Sequence, residues 1–328
     1  MSFRVLAPGL LTTLQDAGRH GYAALGVGSA GAMDDVSRRL ANLLVGNDAA
    51  AAALEITLRG PRLRAEAPCL IALAGAAIEA HCDGERLPQG CPVALRAGAE
   101  IALGTVRDGA RSYLAVAGGF DTERALGSRS VDVNAGIGRA LAPDKILAVA
   151  TAAPRARQLW RTLETGGGAF AAARWALHPA PWRDDPQRPI ALLRGAQFDA
   201  LDAASREALF ATAWRVAPDS NRVGYRLDGA TLALAAPCEL VSAGAVPGTL
   251  QLPPGGQPLL LMAEAPTTGG YPRLAHVAAI DLPRLGQRKP GDALRFTEIS
   301  LPEAQTRYLA RERALAALAR NVAERLND

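Results

Sequence analysis

The chain has 328 residues and a mass of 34.1 kDa, which corresponds to about two domains of ordinary size. Apolar residues make up 49% of the chain and charged residues 21%, which excludes an intrinsically disordered protein. The net charge of +4 is spread along the sequence without a basic block, so we do not expect a nucleic-acid partner.

The composition also predicts a protein without membrane spans, disulfides or a resident metal. The longest uncharged apolar run, residues 70–78, is far shorter than the roughly 18 residues that a transmembrane helix needs. The N-terminus has no apolar signal region, so the expected location is cytoplasmic. The four cysteines have no C-x-x-C spacing, and we expect neither a disulfide framework nor a standard zinc site.

Residues 1–150 are predicted to form one β domain of short strands separated by glycine and proline. Residues 93–103 predict two strands around a turn, and residues 111–117 predict another strand that ends at two glycines. One helix is predicted over residues 34–45, because apolar residues recur there at helical spacing. Gly46 follows in the position that glycine favours after a helix.

The rest of the chain is predicted to form a linker, a second β domain and a terminal helix. Residues 151–188 contain a Gly-Gly-Gly run and a His-Pro-Ala-Pro-Trp run, which indicate a linker. Residues 189–300 predict strands, with one helix near residues 202–210. Residues 301–328 predict a helix, because Ser300 opens a capping box ahead of regularly spaced leucines.

Two segments, residues 19–22 and residues 222–225, share the pattern R-x-G-Y. The match indicates two related β domains, with coincidence as the alternative. Arg19 and Arg222 can each clamp a carboxylate or phosphate with two hydrogen bonds. The competing interpretation of each arginine is a surface ion pair. The dense polar side chains of residues 12–22 favour a site wall, because buried polar groups need partners.

A third segment combines hydroxyl side chains with glycine after an apolar run. Residues 267–270 read Thr-Thr-Gly-Gly, and a turn of this composition can form an anion-binding nest from successive backbone N–H groups. A plain tight turn is the open alternative. The G-x-G-x-x-G pattern of residues 26–31 does not follow a buried strand, so it does not indicate a dinucleotide site.

Taken in order, these segments resemble the family of the 5-oxoprolinase C subunit, which is related to the carboxyltransferase region of urea amidolyase. The resemblance covers nearly the whole chain and includes the motifs T-T-L-Q-D-A-G-R-H-G-Y, G-A-M-D, A-N-L-L-V-G-N-D, L-E-I-T, R-S-Y-L-A-V-A-G-G, L-G-S-R-S, S-N-R-V-G-Y-R-L and T-T-G-G-Y-P-R. It implies a mainly β fold of two cyclophilin-like β-barrel domains with a few helices and a C-terminal helix. It also implies ATP-dependent opening of 5-oxo-L-proline to L-glutamate, with Mg²⁺, in a complex with subunits A and B.

The resemblance places the site in the same motifs. Asp34, Arg19 and Arg222 are the catalytic candidates, because phosphorylation of an amide oxygen calls for cations and a carboxylate. The candidates for binding substrate or phosphate are Gln15, Asp16, Tyr22, Asn221, Tyr225, Arg226, Gln251, Thr267, Thr268, Gly269, Gly270 and Tyr271. The chain departs from the family pattern at residues 264–266, where Glu-Ala-Pro replaces D-R-Q, and at Ala243, where relatives carry glutamate.

Two other functions compete with this interpretation. A biotin-dependent carboxyltransferase component would need its biotin on another protein, because neither Lys145 nor Lys289 lies in an M-K-M context. A non-enzymatic partner of a sensor-kinase inhibitor is the second alternative.

Overall fold

The computed structural model describes residues 1–163, 168–178, 182, 185–238 and 240–326. These residues form 22 strands and five α-helices, so the predicted mainly β fold class with a C-terminal helix is confirmed. Short 3-10 turns lie at Ala23–Leu25 and Phe198–Ala200. No helix within the described residues has the length and hydropathy of a membrane span.

Contacts within the chain define two compact units. Unit 1 comprises Met1–Gly18, Asp34–Arg183 and Leu315–Asp328, and unit 2 comprises Arg19–Met33 and Asp184–Ala314. The predicted domain boundaries at 150, 188 and 300 stay a prediction. Two runs suggested the linker, residues 166–168 and residues 178–182. Most of their residues lie outside the part of the chain that the structure describes.

Unit 1 contains two six-stranded sheets and two helices. In chain order its elements are β1 (Ser2–Ala7), β2 (Leu11–Gln15), α1 (Asp35–Leu44), β3 (Ala53–Thr57), β4 (Arg62–Ala65), β5 (Cys69–Gly75), β6 (Ile78–Cys82), β7 (Glu85–Arg86), β8 (Val93–Leu95), β9 (Glu100–Val106), β10 (Arg111–Val116), β11 (Ile146–Ala148), α2 (Pro154–Leu163) and β12 (Phe170–Ala172). The sheet orders are β11-β1-β4-β9-β6-β7 and β12-β8-β5-β10-β3-β2. Strands β8, β9 and β10 confirm the predictions for residues 93–103 and 111–117.

Strand alternation in unit 1 separates an apolar face from a polar one. Leu114 and Val116 of β10 point into a core shared by both sheets, together with Leu54 and Ile56 of β3. The opposite face of these strands carries Tyr113 and other polar side chains. Helix α1 packs against β5 and β10.

The helix predicted over residues 34–45 is α1, with Asp34 as its N-cap. Gly46 has φ +74° and its N–H donates to the Leu43 carbonyl at 3.0 Å, which confirms the predicted glycine end.

The predicted linker segment, residues 151–188, contains regular structure that the sequence analysis missed. Helix α2 buries Ala156 and Leu159. Strand β12 then pairs with β8, so this part of the segment belongs to the second sheet of unit 1. The missed signal is the helical spacing of apolar residues in α2.

Unit 2 is a nearly closed barrel. Its elements are β13 (Ile190–Arg194), α3 (Ala203–Ala211), β14 (Trp214–Val216), β15 (Gly224–Asp228), β16 (Ala243–Gly244), β17 (Thr249–Gln251), β18 (Leu259–Leu261), β19 (Thr268–Gly269), β20 (Arg273–Val277), α4 (Leu282–Gly286), β21 (Ala293–Leu294) and β22 (Phe296–Glu298). Eight strands form the order β21-β14-β15-β18-β17-β20-β13-β22. Its two edge strands are separated in the chain by Arg295 alone, so the sheet curls until its edges approach. Strands β16 and β19 form a separate two-stranded ribbon.

The last helix, α5 (Leu301–Arg325), begins at the predicted cap. The Glu303 backbone N–H donates to Ser300 Oγ at 3.4 Å, a long hydrogen bond in the position of an N-cap. Leu315 and Val322 of the predicted apolar stripe are buried, as is Leu326 beyond the helix end. Residues 301–314 belong to unit 2, and residues 315–325 belong to unit 1.

Gly118, at the end of β10, gives a stability prediction. A Cβ at this position would lie 2.2 Å from the Ala150 carbonyl oxygen, and φ is +92°. Gly98 also has a positive φ of +84°, but a Cβ there would meet nothing within 4 Å. We expect Gly98→Ala to lower the free energy of unfolding by about 1 kcal/mol, from backbone strain alone. Gly118→Ala should cost about 3 kcal/mol or more, because the clash adds to the strain. Chemical denaturation measures both values, and equal losses would contradict the close approach.

Candidate functional site

The predicted site residues fall in both units. Gln15, Asp16 and Asp34 belong to unit 1, and the others belong to unit 2.

Asp16 lies directly after β2, and its carboxylate is surrounded by donors from the L-G-S-R-S motif. It accepts hydrogen bonds from Ser128 Oγ at 2.5 Å, from Ser130 Oγ at 2.6 Å, and from the backbone N–H groups of Arg129 and Gly18 at 2.6 and 2.9 Å. Burial raises the pKa of Asp16, but these hydrogen bonds together outweigh it, so the pKa lies below its ordinary value. The observed role of this carboxylate is to join two distant segments of unit 1.

Asp34 caps helix α1. Its Oδ1 accepts from the Ser37 backbone N–H at 2.9 Å, and its Oδ2 accepts from Ser37 Oγ at 2.6 Å. An aspartate at this position satisfies N–H groups that the helix itself leaves open, and it complements the positive end of the helix dipole. The catalytic role predicted for Asp34 stays a prediction.

A buried polar cluster underlies the start of α1. The Tyr113 hydroxyl donates to Glu55 Oε2 at 2.7 Å and accepts from the Asp34 backbone N–H at 2.8 Å. Arg111 Nε lies 3.5 Å from Glu55 Oε1, and the Arg111 and Glu55 side chains are 6% and 1% exposed. Burial, followed by the charges of Glu55 and Asp34, raises the pKa of Tyr113 well above its ordinary range, so the hydroxyl keeps its proton and remains a donor.

The sequence analysis quoted the motifs of Glu55, Arg111 and Tyr113 but did not assign these residues to the site. The available signal was a charged or phenolic side chain inside an otherwise apolar strand. On three neighbouring strands, Thr13, Glu55 and Tyr113 lie opposite one another in register. Gln15 continues this polar face, and its Nε2 donates to Thr13 Oγ1 at 3.0 Å and to the Val131 carbonyl at 2.9 Å.

In unit 2, Arg222 is held by a carboxylate in the interior. Its Nε donates to Glu264 Oε1, and Nη2 donates to the Gly31 carbonyl at 2.7 Å. The side chains of Arg222 and Glu264 are 5% and 1% exposed, so the alternative of a surface ion pair is wrong for Arg222. Glu264 is one of the positions at which the chain departs from the family pattern. The sequence analysis did not connect this residue with Arg222.

Arg19 is also buried, which contradicts the surface alternative for the second arginine of the R-x-G-Y pair. Its backbone N–H donates to the Ser29 carbonyl at 2.7 Å, which ties the two ends of this loop together. Tyr22 is half-buried at the start of the Ala23–Leu25 turn. The catalytic role predicted for Arg19 and the binding role predicted for Tyr22 stay predictions.

Tyr225 and the two residues that flank the second R-x-G-Y segment have structural partners. The Tyr225 hydroxyl lies 3.2 Å from the carbonyl oxygens of Leu285 and Arg288. Asn221 is exposed, and its Oδ1 accepts from the Val223 backbone N–H at 2.8 Å. Arg226 is exposed and lies 2.7 Å from Asp219, so this arginine, rather than Arg222, forms the surface ion pair.

The Thr-Thr-Gly-Gly segment forms a strand at the two central residues. Thr268 and Gly269 pair with Gly244 and Ala243 in the ribbon, so the predicted turn is wrong at these two residues. Neither Gly269 nor Gly270 has a positive φ. The Thr267 carbonyl accepts from the Ala245 backbone N–H at 2.9 Å. The ligand-binding role of Thr267, Thr268, Gly269, Gly270 and the exposed Tyr271 stays a prediction.

Gln251 ends strand β17 and lies next to the ribbon. It is 3% exposed, and a Cβ on Gly269 would lie 2.7 Å from its Nε2. The structure therefore brings together two of the predicted binding residues from different motifs, Gln251 and Gly269.

Asp16 and Asp34 are the carboxylates available to handle a proton or Mg²⁺ in the expected chemistry, and this role stays a prediction. Mg²⁺ in proteins is commonly held by one or two carboxylates that leave room for water and phosphate oxygens. The oxygens of Asp16 and Asp34 are already engaged by the donors described above. The described residues contain no group of three or more His, Cys, Asp or Glu side chains arranged to hold a metal ion.

The chain is a mainly β protein of two units, each with a buried ionic cluster. The model of the carboxyltransferase domain, subdomain A and B, matches residues 25–298, and the chain belongs to this family. It is 38% identical to the C subunit of 5-oxoprolinase from Escherichia coli (strain K12) over 92% of both chains. It is 33% identical to the corresponding subunit of Haemophilus influenzae over 89% of both. The resemblance read from the motifs is thereby confirmed.

Solved structures show the same architecture. The urea amidolyase of K. lactis matches 96% of this chain with a TM-score of 0.84 and 29% identity. The match covers 20% of that much longer chain, so this protein corresponds to one part of it.

Asp16 gives a pH-dependent prediction. Because its pKa is lowered on folding, the ionised carboxylate stabilises the protein at neutral pH, and this contribution is lost as pH falls through the folded-state pKa. We expect Asp16→Asn to lower the free energy of unfolding by about 2–3 kcal/mol at pH 7, since hydrogen bonds to a charged group are lost. The difference from wild type should shrink below about pH 4. Denaturant titrations across pH test this, with Asp48→Asn at an exposed position as control. A difference in unfolding free energy between Asp16→Asn and wild type that does not change with pH would contradict the stabilising role of the ionised Asp16 carboxylate.

The Arg222–Glu264 pair gives a prediction about coupling. Arg222→Met alone should cost about 3–5 kcal/mol, because it leaves Glu264 as a buried unpaired charge. Arg222→Met with Glu264→Met should cost much less than the sum of the single changes, with a coupling energy above about 1.5 kcal/mol. The exposed pair of Arg226 and Asp219 is the matched control, and its coupling should stay below about 1 kcal/mol. Similar coupling in the two pairs would show that Glu264 does not hold Arg222.

Proposed function

We propose that the chain is a subunit of ATP-dependent 5-oxoprolinase, a cyclic-amide hydrolase that opens 5-oxo-L-proline to L-glutamate together with subunits A and B. The observation that carries the proposal is the 38% identity to the C subunit of 5-oxoprolinase from Escherichia coli, because it extends over 92% of both chains. A match of this extent supports a shared subunit role more strongly than one shared motif would. ATP, Mg²⁺, the cytoplasmic location and the A and B partners belong to the same proposal.

The proposed reaction is consistent with a supporting role for this chain. A lactam carbonyl is a weak electrophile. Transfer of the γ-phosphoryl group to its oxygen releases ADP and makes the carbon reactive. Water then adds to that carbon, the C–N bond breaks, the nitrogen takes a proton, and phosphate leaves. Hydrogen-bond donors around the developing negative charge are what such a step needs. The carboxylates of Asp16 and Asp34 accept hydrogen bonds and cannot donate to that charge, so donors from this chain would have to be N–H or O–H groups.

A second candidate function is a carboxyltransferase component that receives biotin on another protein. The observation that favours it is the TM-score of 0.84 against the urea amidolyase of K. lactis over 96% of this chain. The urea amidolyases of Lachancea kluyveri and Saccharomyces cerevisiae are 31% and 28% identical to this chain, below the identity to the E. coli protein.

An omission assay tests the proposal. The chain is mixed with subunits A and B, 5-oxo-L-proline and ATP, and L-glutamate and ADP are measured with each component protein left out in turn. We expect glutamate release only from the complete mixture. Release that is undiminished without this chain would overturn the proposal. An inert complete mixture, with activity that appears on addition of biotin carrier and bicarbonate, would favour the carboxyltransferase function.

A further inference from the structure

Gln251 is a buried amide whose nitrogen is not used by the fold. The residue is 3% exposed, and Nε2 has no hydrogen-bond partner within the described part of the chain. Buried amide groups in folded proteins almost always have a partner, because leaving water without one costs free energy. A donor left open in this way is poised for an acceptor that the described residues do not supply.

Nε2 of Gln251 occupies the room that glycine leaves at position 269. A Cβ there would lie 2.7 Å from Nε2, which is closer than real contacts allow. Thr268 is exposed and Gly269 half-buried, so this edge of the ribbon is within reach of a ligand from solvent. The Gly269 backbone does not need glycine for its φ, because that angle is not positive. Room for the amide is therefore the steric reason for glycine at this position.

A positively charged side chain shares a face of the barrel with Gln251. Arg273 of β20 is opposite Gln251 of β17 in the barrel register, so the two side chains share a face of the sheet. Arg273 Nη1 donates to the Gly244 carbonyl of the ribbon at 3.3 Å, and its backbone N–H donates to Gln197 Oε1 at 3.1 Å. The guanidinium is thereby held at the ribbon, where it can attract a carboxylate.

We propose that Gln251, packed against Gly269 at the ribbon, is the subsite that recognises the amide group of a small carboxylate-bearing ligand. Nε2–H donates to the carbonyl oxygen of the ligand, and Arg273 attracts its carboxylate. The inference rests on the proposed function in naming the ligand, which is then 5-oxo-L-proline: the lactam carbonyl lies at Gln251 and the carboxylate faces Arg273. No bond is made or broken in this step, so Gln251 is a binding residue.

Three variants test the subsite in the enzyme assembled with subunits A and B. Gln251→Met removes the donor at similar volume, and Gly269→Ala pushes the amide out of position. Both should raise KM for 5-oxo-L-proline about tenfold, the loss that corresponds to about 1.4 kcal/mol of binding. The control is Gly255→Ala, where a Cβ meets nothing within 4 Å and φ is not positive, and its KM should stay within about twofold of wild type.

Thermal unfolding of the same variants separates binding from folding. Because Nε2 has no hydrogen bond to lose within the part of the chain that the structure describes, Gln251→Met should leave the melting temperature unchanged or higher. A structural glutamine would behave in the opposite way, with a lower melting temperature and an unchanged KM. That result would overturn the subsite and leave the proposed function standing.

A wild-type assembly that is inert on 5-oxo-L-proline would instead overturn the proposed function. The subsite is then judged by NMR of the full chain, using the side-chain amide signal that disappears in Gln251→Met. A shift of that signal on titration with 2-pyrrolidone, an amide without a carboxylate, supports amide recognition. A larger shift with 5-oxo-L-proline supports the part played by Arg273. No shift with either compound overturns the proposal.

Discussion

A buried charge has to be met by donors or by an opposite charge, and this requirement decides which distant segments of each unit meet. In unit 1, the Asp16 carboxylate draws the end of β2 onto residues 128–130 through side-chain and backbone donors. In unit 2, Arg222 brings the Gly31 carbonyl and Glu264 together. Asp281 does the same at the base of the barrel, where it accepts from the Ala191 backbone N–H at 2.8 Å and lies 3.0 Å from Arg188. Hydrophobic burial supplies the cores, but these ionic contacts select the arrangement of the loops around them.

The same requirement explains why the family motifs look like an active site when they are read from the sequence. Polar residues crowd between glycines in residues 12–22, and a polar face runs from Gln15 and Thr13 to Tyr113 beneath α1. Each of these groups needs partners, and the partners that the structure shows for Asp16, Asp34 and Tyr113 come from within the same unit. A high density of polar residues in the sequence therefore indicates that many hydrogen bonds have to be made. It did not distinguish a group that supports the fold from one that meets a ligand.

The elements that local pattern could predict were those with a strong period or a cap. Helix α1 has both an N-cap aspartate and a terminal glycine, and β10 is an apolar strand ended by two glycines. The ion pair of Arg222 could not be predicted in this way, because its partner, Glu264, lies in a segment that departs from the family pattern. The short strand at Thr268–Gly269 was also missed, since two residues carry no period and the strand exists only through its pairing with Ala243–Gly244.

The departures from the family pattern bear on what the ribbon can recognise. Ala265 stands where the family pattern quoted in the sequence analysis has an arginine, and it is buried in an apolar cluster with Ala245 and Leu261. A guanidinium would be costly in that cluster unless it were paired. With alanine there, this cluster next to the ribbon stays apolar. A hydrogen bond to a ligand is stronger in such surroundings than in water, because the local dielectric constant is low. An uncharged donor such as the Gln251 amide then suits a neutral carbonyl group, and it avoids the desolvation that a second buried cation would require.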